Sequence, residues 1–126
     1  NVKAGTGHGK YRGGFGLLRE YEILNNSTFV YCNITKSEVK PWGLKGGFSG
    51  TNNYMLIKSN NKTRKVTRIP STKLKKGDVV QIITGSGGGY GNPKQRSKTN
   101  IIHDLENELI TLPQAKKIYN LKGIKK

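Results

Sequence analysis

One glycine-rich segment constrains the fold of this chain more than any other part of the sequence. It runs from Lys76 to Pro93, begins with a Gly-Asp turn and ends in the loop 85–91, where five of seven residues are glycine. Glycine has no Cβ, so this loop can adopt backbone conformations that are closed to other residues. The intervening run Val79–Thr84 is apolar on both faces apart from Gln81, which predicts a central strand.

The composition and the spacing of apolar residues predict a β-rich chain that ends in helices. Seventeen glycines and four prolines among 126 residues indicate many tight turns, and the length suits about one domain. We expect a β-rich α+β fold, with short antiparallel strands and glycine-rich loops followed by two short C-terminal helices. The expected division is a glycine-loop region at 1–93 and a helical segment at 94–126, packed as one domain fragment. Because the chain starts at Asn1 within a glycine-rich loop, we expect it to be a piece of a longer subunit.

Alternating and β-branched runs predict four further strands. Residues 17–24 and 28–34 flank the turn signal Asn25-Asn26 and are predicted to form a hairpin. Tyr54–Ile57 and Val66–Ile69 are predicted to form a second pair, with the basic residues 62–65 at its tip. Proline cannot donate a ladder hydrogen bond, so we expect Pro70-Ser71 to end the fourth of these strands.

After Pro93 the apolar residues recur at the spacing of a helix. Ser97 or Thr99 can cap the first helix, and Asp104 is assigned to its polar side. The sequence Thr111-Leu112-Pro113-Gln114 has the form of a capping box and predicts a second short helix. Asn120 suits the left-handed residue at the end of that helix.

The chain carries a strong positive charge. Lys and Arg number 23 against seven Asp and Glu, which gives a formal charge of +16 and a field that attracts polyanions. Small basic concentrations occur at 62–65, at 73–76 and in the tail 122–126, which we expect to fray. A free-standing nucleic-acid-binding module is therefore an alternative, but the sequence contains no recognised module of that kind, and we do not expect nucleic acid as the partner.

Cysteine and histidine are too scarce for a disulfide or a zinc site. Cys32 is the single cysteine, and His8 and His103 are the only histidines, so no metal site is predicted in this chain. A reducing, cytoplasmic location fits this composition. No apolar run approaches the roughly 20 residues that span a bilayer, so no membrane association is expected.

The first glycine-rich stretch, 5–16, holds two polar candidates. His8 could act as a ligand or general base, but a lone histidine is more often solvated, and we favour that interpretation. Arg12, beside backbone N–H groups opened by glycine, could complete a phosphate or carboxylate site. The slightly favoured alternative is that Arg12 pairs with Glu20 or Glu22 across the hairpin.

The two other glycine-rich loops each carry an aromatic side chain. Trp42 in the loop 40–50 is expected to anchor that loop to the core, and a stacking platform is the alternative. Tyr90 is expected to pack back on the strands. The loop 85–91 lacks the Gly-Lys-Ser/Thr ending of a phosphate-binding loop and leads to Asn92-Pro93, so it is a weak nucleotide signal.

Three motifs follow one another along nearly the whole chain: Gly9–Tyr21, Pro41–Gly50, and Gly77–Pro93 with Arg96, Asp104 and the closing helix. The first resembles the Gly-x-Tyr/Trp-Arg-Gly-Gly-x-Gly-x-x-Arg-Glu-Tyr signature of the hydantoinase B / 5-oxoprolinase family. All three resemble the C-terminal part of that family. The chain departs from the family pattern in loops, for example with Asn92 where the family usually has Asp, and its heavy positive charge is less typical.

The resemblance implies a subunit of an ATP-dependent enzyme that hydrolyses cyclic amides such as 5-oxoproline or hydantoins. An A-type partner would bind ATP and activate the substrate carbonyl, and the B-type chain would take part in ring opening. Related ketone carboxylases use a similar activation, with metal bound by the B-type chain. The resemblance implies that this segment binds no cofactor itself, and it identifies no catalytic residue in it. The segment would pack with the remainder of its subunit. The expected substrate- or partner-proximal residues are His8, Tyr11, Arg12 and Arg19, with the loop residues Gly87, Gly88, Gly89, Tyr90 and Gly91.

Overall fold

The computed structural model describes residues 6–122, and predictions for 1–5 and for the end of the basic tail lie outside these residues. The described chain is mainly antiparallel strands with two short C-terminal helices, which confirms the predicted fold class. It forms two compact units. One unit contains all six strands and comprises Gly16–Lys40 and Asn52–Gly85. The other contains both helices and comprises 6–15, Pro41–Thr51 and 86–122.

The strands form two antiparallel sheets. In chain order they are β1 (Leu18–Glu22), β2 (Phe29–Asn33), β3 (Tyr54–Ser59), β4 (Lys62–Val66), β5 (Arg68–Lys73) and β6 (Val79–Ile83). Four strands pair in the order β1-β6-β3-β4, and β2 pairs with β5. The central position predicted for β6 is confirmed, because β6 has a partner on each side. Its buried side chains share a core with those of β3, including Met55, Ile57 and Val80.

The predicted hairpin of the first two strands is wrong. β1 pairs with β6, and β2 pairs with β5. The Asn25 side chain holds the turn between them, because its Oδ1 accepts hydrogen bonds from the Ser27 N–H at 2.8 Å and the Thr28 hydroxyl at 3.0 Å. Ile23 also continues towards β6, donating its N–H to the Asp78 carbonyl at 2.9 Å. The turn therefore carries the chain into the second sheet instead of back along β1.

A hairpin does follow β3, but its second strand is β4 and not the predicted run Val66–Ile69, so the basic residues assigned to its tip lie in β4 instead. Asn60 and Asn61 make the turn with φ of 49° and 59°. Positive φ at both central residues is the requirement of a type I′ turn, which Asn tolerates. Because the turn needs only these two residues, pairing starts at once between Ser59 and Lys62.

The prediction that Pro70 ends a strand is wrong. The run Val66–Ile69 is divided between the end of β4 and the start of β5, and β5 continues through Pro70 and Ser71. The pairing register shifts between Val30 and Cys32 on the partner strand, which leaves one extra residue in β5. A bulge in a two-stranded sheet accommodates proline because no ladder hydrogen bond is required there.

The two helices begin where the sequence predicts. In α1 (Lys98–Glu106) the Ser97 side chain caps the first turn, and in α2 (Leu112–Lys117) Thr111 and Gln114 form the capping box. Asn120 has the predicted left-handed conformation, with φ of 56°. Around these helices lies a second buried group: Ile101, Ile110, Ala115, Tyr119 and Leu121. Neither helix has the length and apolarity needed to cross a membrane.

Candidate functional site

Three glycine-rich segments of the helical unit lie backbone against backbone. We call them the glycine stack: residues 7–14, 41–50 and 86–91. The third segment contacts both of the others, since Gly87 donates its N–H to the Gly14 carbonyl at 2.9 Å and Gly89 donates to the Phe48 carbonyl at 2.9 Å. The Gly7 N–H in turn donates to the Gly87 carbonyl at 3.0 Å. Main-chain hydrogen bonds therefore connect all three segments.

Close backbone contact explains most of the glycines of the stack. A Cβ on Gly88 would lie 2.0 Å from the Trp42 carbonyl oxygen, and one on Gly13 would lie 2.1 Å from the Gly87 oxygen. These separations are far inside van der Waals contact, so no side chain fits. The N–H groups of Gly87, Gly89, Tyr90 and Gly91 all donate to carbonyls of the stack. The glycines thus serve packing, and these N–H groups already have acceptors.

The aromatic side chains of the stack are more exposed than predicted. Trp42, expected to be a buried anchor, is 69% exposed, because segments that touch through their backbones leave no interior space for an indole. Tyr90, expected to pack on the strands, has a ring that is about half exposed and lies 6.4 Å from that of Tyr11, between centroids. Backbone bridges place Tyr90 beside both Tyr11 and Leu44.

A buried carboxylate lies at the centre of a polar group in the same unit. We call it the Asp104 cluster: His8, Arg12, Arg96, Asp104 and Tyr119. The Asp104 side chain is 1% exposed and accepts from Arg12 Nε at 3.3 Å and from an Arg96 Nη at 2.7 Å. The assignment of Asp104 to the polar side of α1 is therefore wrong. The favoured pairing of Arg12 with Glu20 or Glu22 is also wrong, because its ion pair goes to this buried acid.

The cluster carries more positive than negative charge. The two guanidinium groups share one carboxylate, and the Arg96 side chain is only 7% exposed. Its Nη1 also donates to the Lys10 carbonyl at 3.2 Å, whereas its Nε is buried and has no hydrogen-bond partner within residues 6–122. A buried N–H without an acceptor costs free energy, and native structures contain few such groups.

His8 is buried and not solvated as favoured from the sequence. Its Nδ1 lies 2.8 Å from the Tyr119 hydroxyl, and its ring meets those of Tyr119 and Phe48 edge-on. Burial lowers the pKa of His8, and the positive charge of Arg96 lowers it further. Burial also raises the pKa of Tyr119. When His8 is neutral, its Nδ1 can accept a hydrogen bond from the Tyr119 hydroxyl, which satisfies both groups.

His8 should make folding stability depend on pH. Its pKa is lowered in the folded chain from 6.5, so between the two values the unfolded chain binds a proton that the folded chain does not. The free energy of unfolding should therefore rise with pH up to about 6.5 and then level off. Urea unfolding of His8→Gln at pH 5.5 and 7.5 should show a smaller pH difference than wild type. An equal pH difference in His8→Gln and in the wild type would contradict the assignment of this effect to His8.

The proposed site residues fall into three places. His8 and Arg12 belong to the Asp104 cluster, and Tyr11 with the loop 87–91 belongs to the glycine stack. Arg19 lies exposed on β1 in the strand-containing unit. Their role towards substrate or partner stays a prediction. Within residues 6–122, no three His, Cys, Asp or Glu side chains are grouped in a way that could hold a metal ion.

Reasoning from the residues alone missed Asp104 as the centre of the cluster. One signal could have found it. Ile101, Asp104 and Leu105 occupy positions i, i+3 and i+4, so the acid lies on the apolar face of α1 and not opposite it. A carboxylate in such a position must find a cation when it is buried. One of its two cations, Arg96, lies only eight residues earlier, but the other, Arg12, lies 92 residues earlier and could not be identified from the local sequence.

Comparison with known proteins gives consistent sequence matches. The family model described as Hydantoinase B/oxoprolinase matches residues 2–93. An uncharacterized protein of Methanocaldococcus jannaschii is 34% identical over 120 residues, which are 95% of this chain and 21% of that protein. The B subunit of a putative D-/L-hydantoinase from Pseudomonas sp. (strain NS671) is 30% identical over 85% of this chain and 18% of its own length. A 5-oxoprolinase of Dictyostelium discoideum is 32% identical over 72% of this chain and 7% of its own length.

A solved structure shares the fold. The nucleotide-free structure of acetone carboxylase superposes with a TM-score of 0.65 at 18% identity, covering 95% of this chain and 21% of the other. At that identity the likeness concerns the fold alone. The chain spans about a fifth of the length of the first two curated relatives, 21% and 18%.

Proposed function

Because this chain belongs to the hydantoinase B/oxoprolinase family, we propose that it is part of the B-type subunit of an ATP-dependent enzyme that opens cyclic amides such as hydantoins or 5-oxoproline. The observation that carries the proposal is the similarity, over most of the chain, to a putative hydantoinase B-type subunit and to a 5-oxoprolinase. An A-type partner binds ATP and activates the ring carbonyl, and the rest of the B-type subunit supplies catalytic residues and a metal. The enzyme works in the cytoplasm.

Within this enzyme the chain acts mainly as a scaffold. The main-chain donors of the glycine stack are used between its own segments, and the Asp104 carboxylate is paired inside the unit. Such groups hold a backbone in one arrangement and are not free to carry out a reaction. The scaffold would fix the position of the neighbouring parts of the subunit that contact the substrate.

Arg12 is the residue that we propose to approach an anionic group of the substrate or of its activated form. Its side chain is 23% exposed, and it contacts Asp104 through Nε. Its two Nη atoms make no hydrogen bond within the described residues. The guanidinium lies over the Phe15 ring, 4.3 Å from the centroid, so its plane is held in place. A guanidinium held in place, with two Nη groups that make no hydrogen bond within residues 6–122, can bind a carboxylate or phosphate oxygen.

The test is an ATPase assay on the intact B-type subunit together with its A-type partner. ATP hydrolysis should rise about tenfold or more on adding 5-oxoproline or hydantoin, because carbonyl activation couples ATP cleavage to the cyclic amide. Each subunit alone is the control and should show no such rise. Stimulation by acetone with bicarbonate, and not by cyclic amides, would place the enzyme with the ketone carboxylases. Stimulation by neither substrate class would contradict the proposal.

A free-standing nucleic-acid-binding module is the alternative that the formal charge of +16 keeps open. That alternative predicts tight association with DNA or RNA that weakens steeply with salt, as phosphate contacts are screened. The enzyme proposal predicts weak, non-specific association only. A binding series between about 50 and 200 mM salt distinguishes the two.

A further inference from the structure

A cleft of about 300 Å³ opens next to the two helices, inside the helical unit. Its walls include Ile101 and Tyr119, and its charged lining residues are all cationic: Lys94, Arg96, Lys98 and Lys122. The volume is at the low end of the range found for small-ligand pockets, about 300–1,000 Å³. Of these four cations only Arg96 is paired with a carboxylate within residues 6–122, so the cleft keeps an excess of positive charge that would attract an anion.

One of these cations is held rigidly. Arg96 is fixed by its short ion pair to Asp104 and by the hydrogen bond from Nη1 to the Lys10 carbonyl. Its side chain is more than nine-tenths buried, and its Nε is the buried donor without a partner within residues 6–122. Arg96 therefore brings to the cleft wall a positive charge that needs no further ordering to meet an anion.

We propose that this cleft binds a phosphate group, carried by a small phosphorylated molecule or a nucleotide. Phosphate oxygens accept well from both guanidinium and ammonium donors, and Lys94, Lys98 and Lys122 supply compact point charges beside the planar Arg96. A dianion or trianion matches this excess of charge better than a single carboxylate. The site differs from the Arg12 position proposed above, and it does not depend on cyclic amide chemistry.

The Asp104 cluster gives this site a built-in reporter. Arg96 lines the cleft and also lowers the pKa of His8 through its charge. A bound phosphate would offset part of that charge, so the pKa of His8 should rise when the cleft is occupied. This response distinguishes binding next to Arg96 from attraction of anions to lysines elsewhere on the chain.

The experiment is an NMR titration of the 126-residue chain with pyrophosphate, following backbone amides and the His8 ring. Lys94→Gln combined with Lys98→Gln should weaken pyrophosphate binding about tenfold, which corresponds to about 1.4 kcal/mol. Lys116→Gln combined with Lys117→Gln removes the same charge from exposed positions of α2 outside the cleft, and should weaken binding less than about twofold. Dispersed amide spectra of both variants establish that they remain folded.

Different ligands separate the possible sources of phosphate. Inorganic phosphate and ATP identify a free phosphate or a nucleotide by their relative affinities, and acetate should bind far more weakly than either. Equal weakening by the two lysine pairs, or no change in the His8 titration on saturation, would overturn the proposal. Binding of a single-stranded oligonucleotide without measurable pyrophosphate binding would also overturn it in favour of nucleic acid. Because no arm measures turnover, a negative result leaves the cyclic amide proposal intact.

Discussion

Gly88→Ala should lower the free energy of unfolding by about 3 kcal/mol or more, and in practice should disrupt the helical unit. The new Cβ would lie 2.0 Å from the Trp42 carbonyl oxygen and 2.7 Å from its carbon. Both are backbone atoms of a neighbouring segment, so a rotamer change cannot relieve the clash. The segments must separate, and the main-chain hydrogen bonds of the glycine stack would break with them. Urea unfolding monitored by circular dichroism measures the loss.

Gly14→Ala is the matched control for that substitution. Gly14 belongs to the same stack, yet a Cβ there would meet no atom within 4 Å, and its φ is not in the left-handed region. Alanine restricts the unfolded chain more than glycine does, so this variant should be neutral or more stable by about 0.4–1 kcal/mol. If both variants lost the same stability, the effect would belong to glycine content and not to backbone contact.

Asp104→Asn should destabilise the chain by about 3–5 kcal/mol, since it removes the one carboxylate between two guanidinium groups. Asparagine keeps the shape of the side chain but leaves Arg96, which is 7% exposed, as a buried charge without a counter-ion. Arg12 is less affected because its side chain is partly exposed. The free energy of unfolding in urea at pH 7 is the measurement.

Two further variants distinguish charge pairing from general damage to α1. Glu106→Gln neutralises an exposed acid two residues away and should change stability by less than about 0.5 kcal/mol. Combining Asp104→Leu with Arg96→Met removes the buried charges together and should recover much of the loss, because apolar side chains of similar size can replace a buried ion pair. A loss below about 1 kcal/mol for Asp104→Asn alone would show that water reaches the cluster.

The parts of the fold that the sequence predicted correctly depend on local chemistry. Ser97 and Thr111 cap helices through atoms within a few residues of themselves, and Asn120 takes its left-handed conformation just after α2. The pairing partners of β1 and β2 were not predicted correctly. They are decided by distant strands, and the alternation within each strand is the same for either pairing. The prediction for Pro70 fails for a related reason, since only its unpaired position in a bulge makes it acceptable.

The candidate site was harder to predict, because its members meet only in the folded chain. His8 lies 111 residues from Tyr119, and its apparent isolation in the sequence favours the incorrect solvated interpretation. The prediction for Trp42 fails because tryptophan is usually buried against side chains, whereas its neighbours here are glycines. The glycines were expected for their backbone freedom, and the sequence did not indicate which glycine-rich segments contact one another.

The glycine stack also has a consequence for synthesis on the ribosome. Its first segment is made before the strand-containing unit, whereas its hydrogen-bond partners around Gly87–Gly91 come after that unit, and the acid that pairs with Arg12 follows 92 residues after it. Contacts between such distant residues form slowly, because a long loop must close first. The sheets should therefore form before the first glycine segment meets its partners around Gly87–Gly91, and the helical unit should assemble only after residues 86–122 have been made.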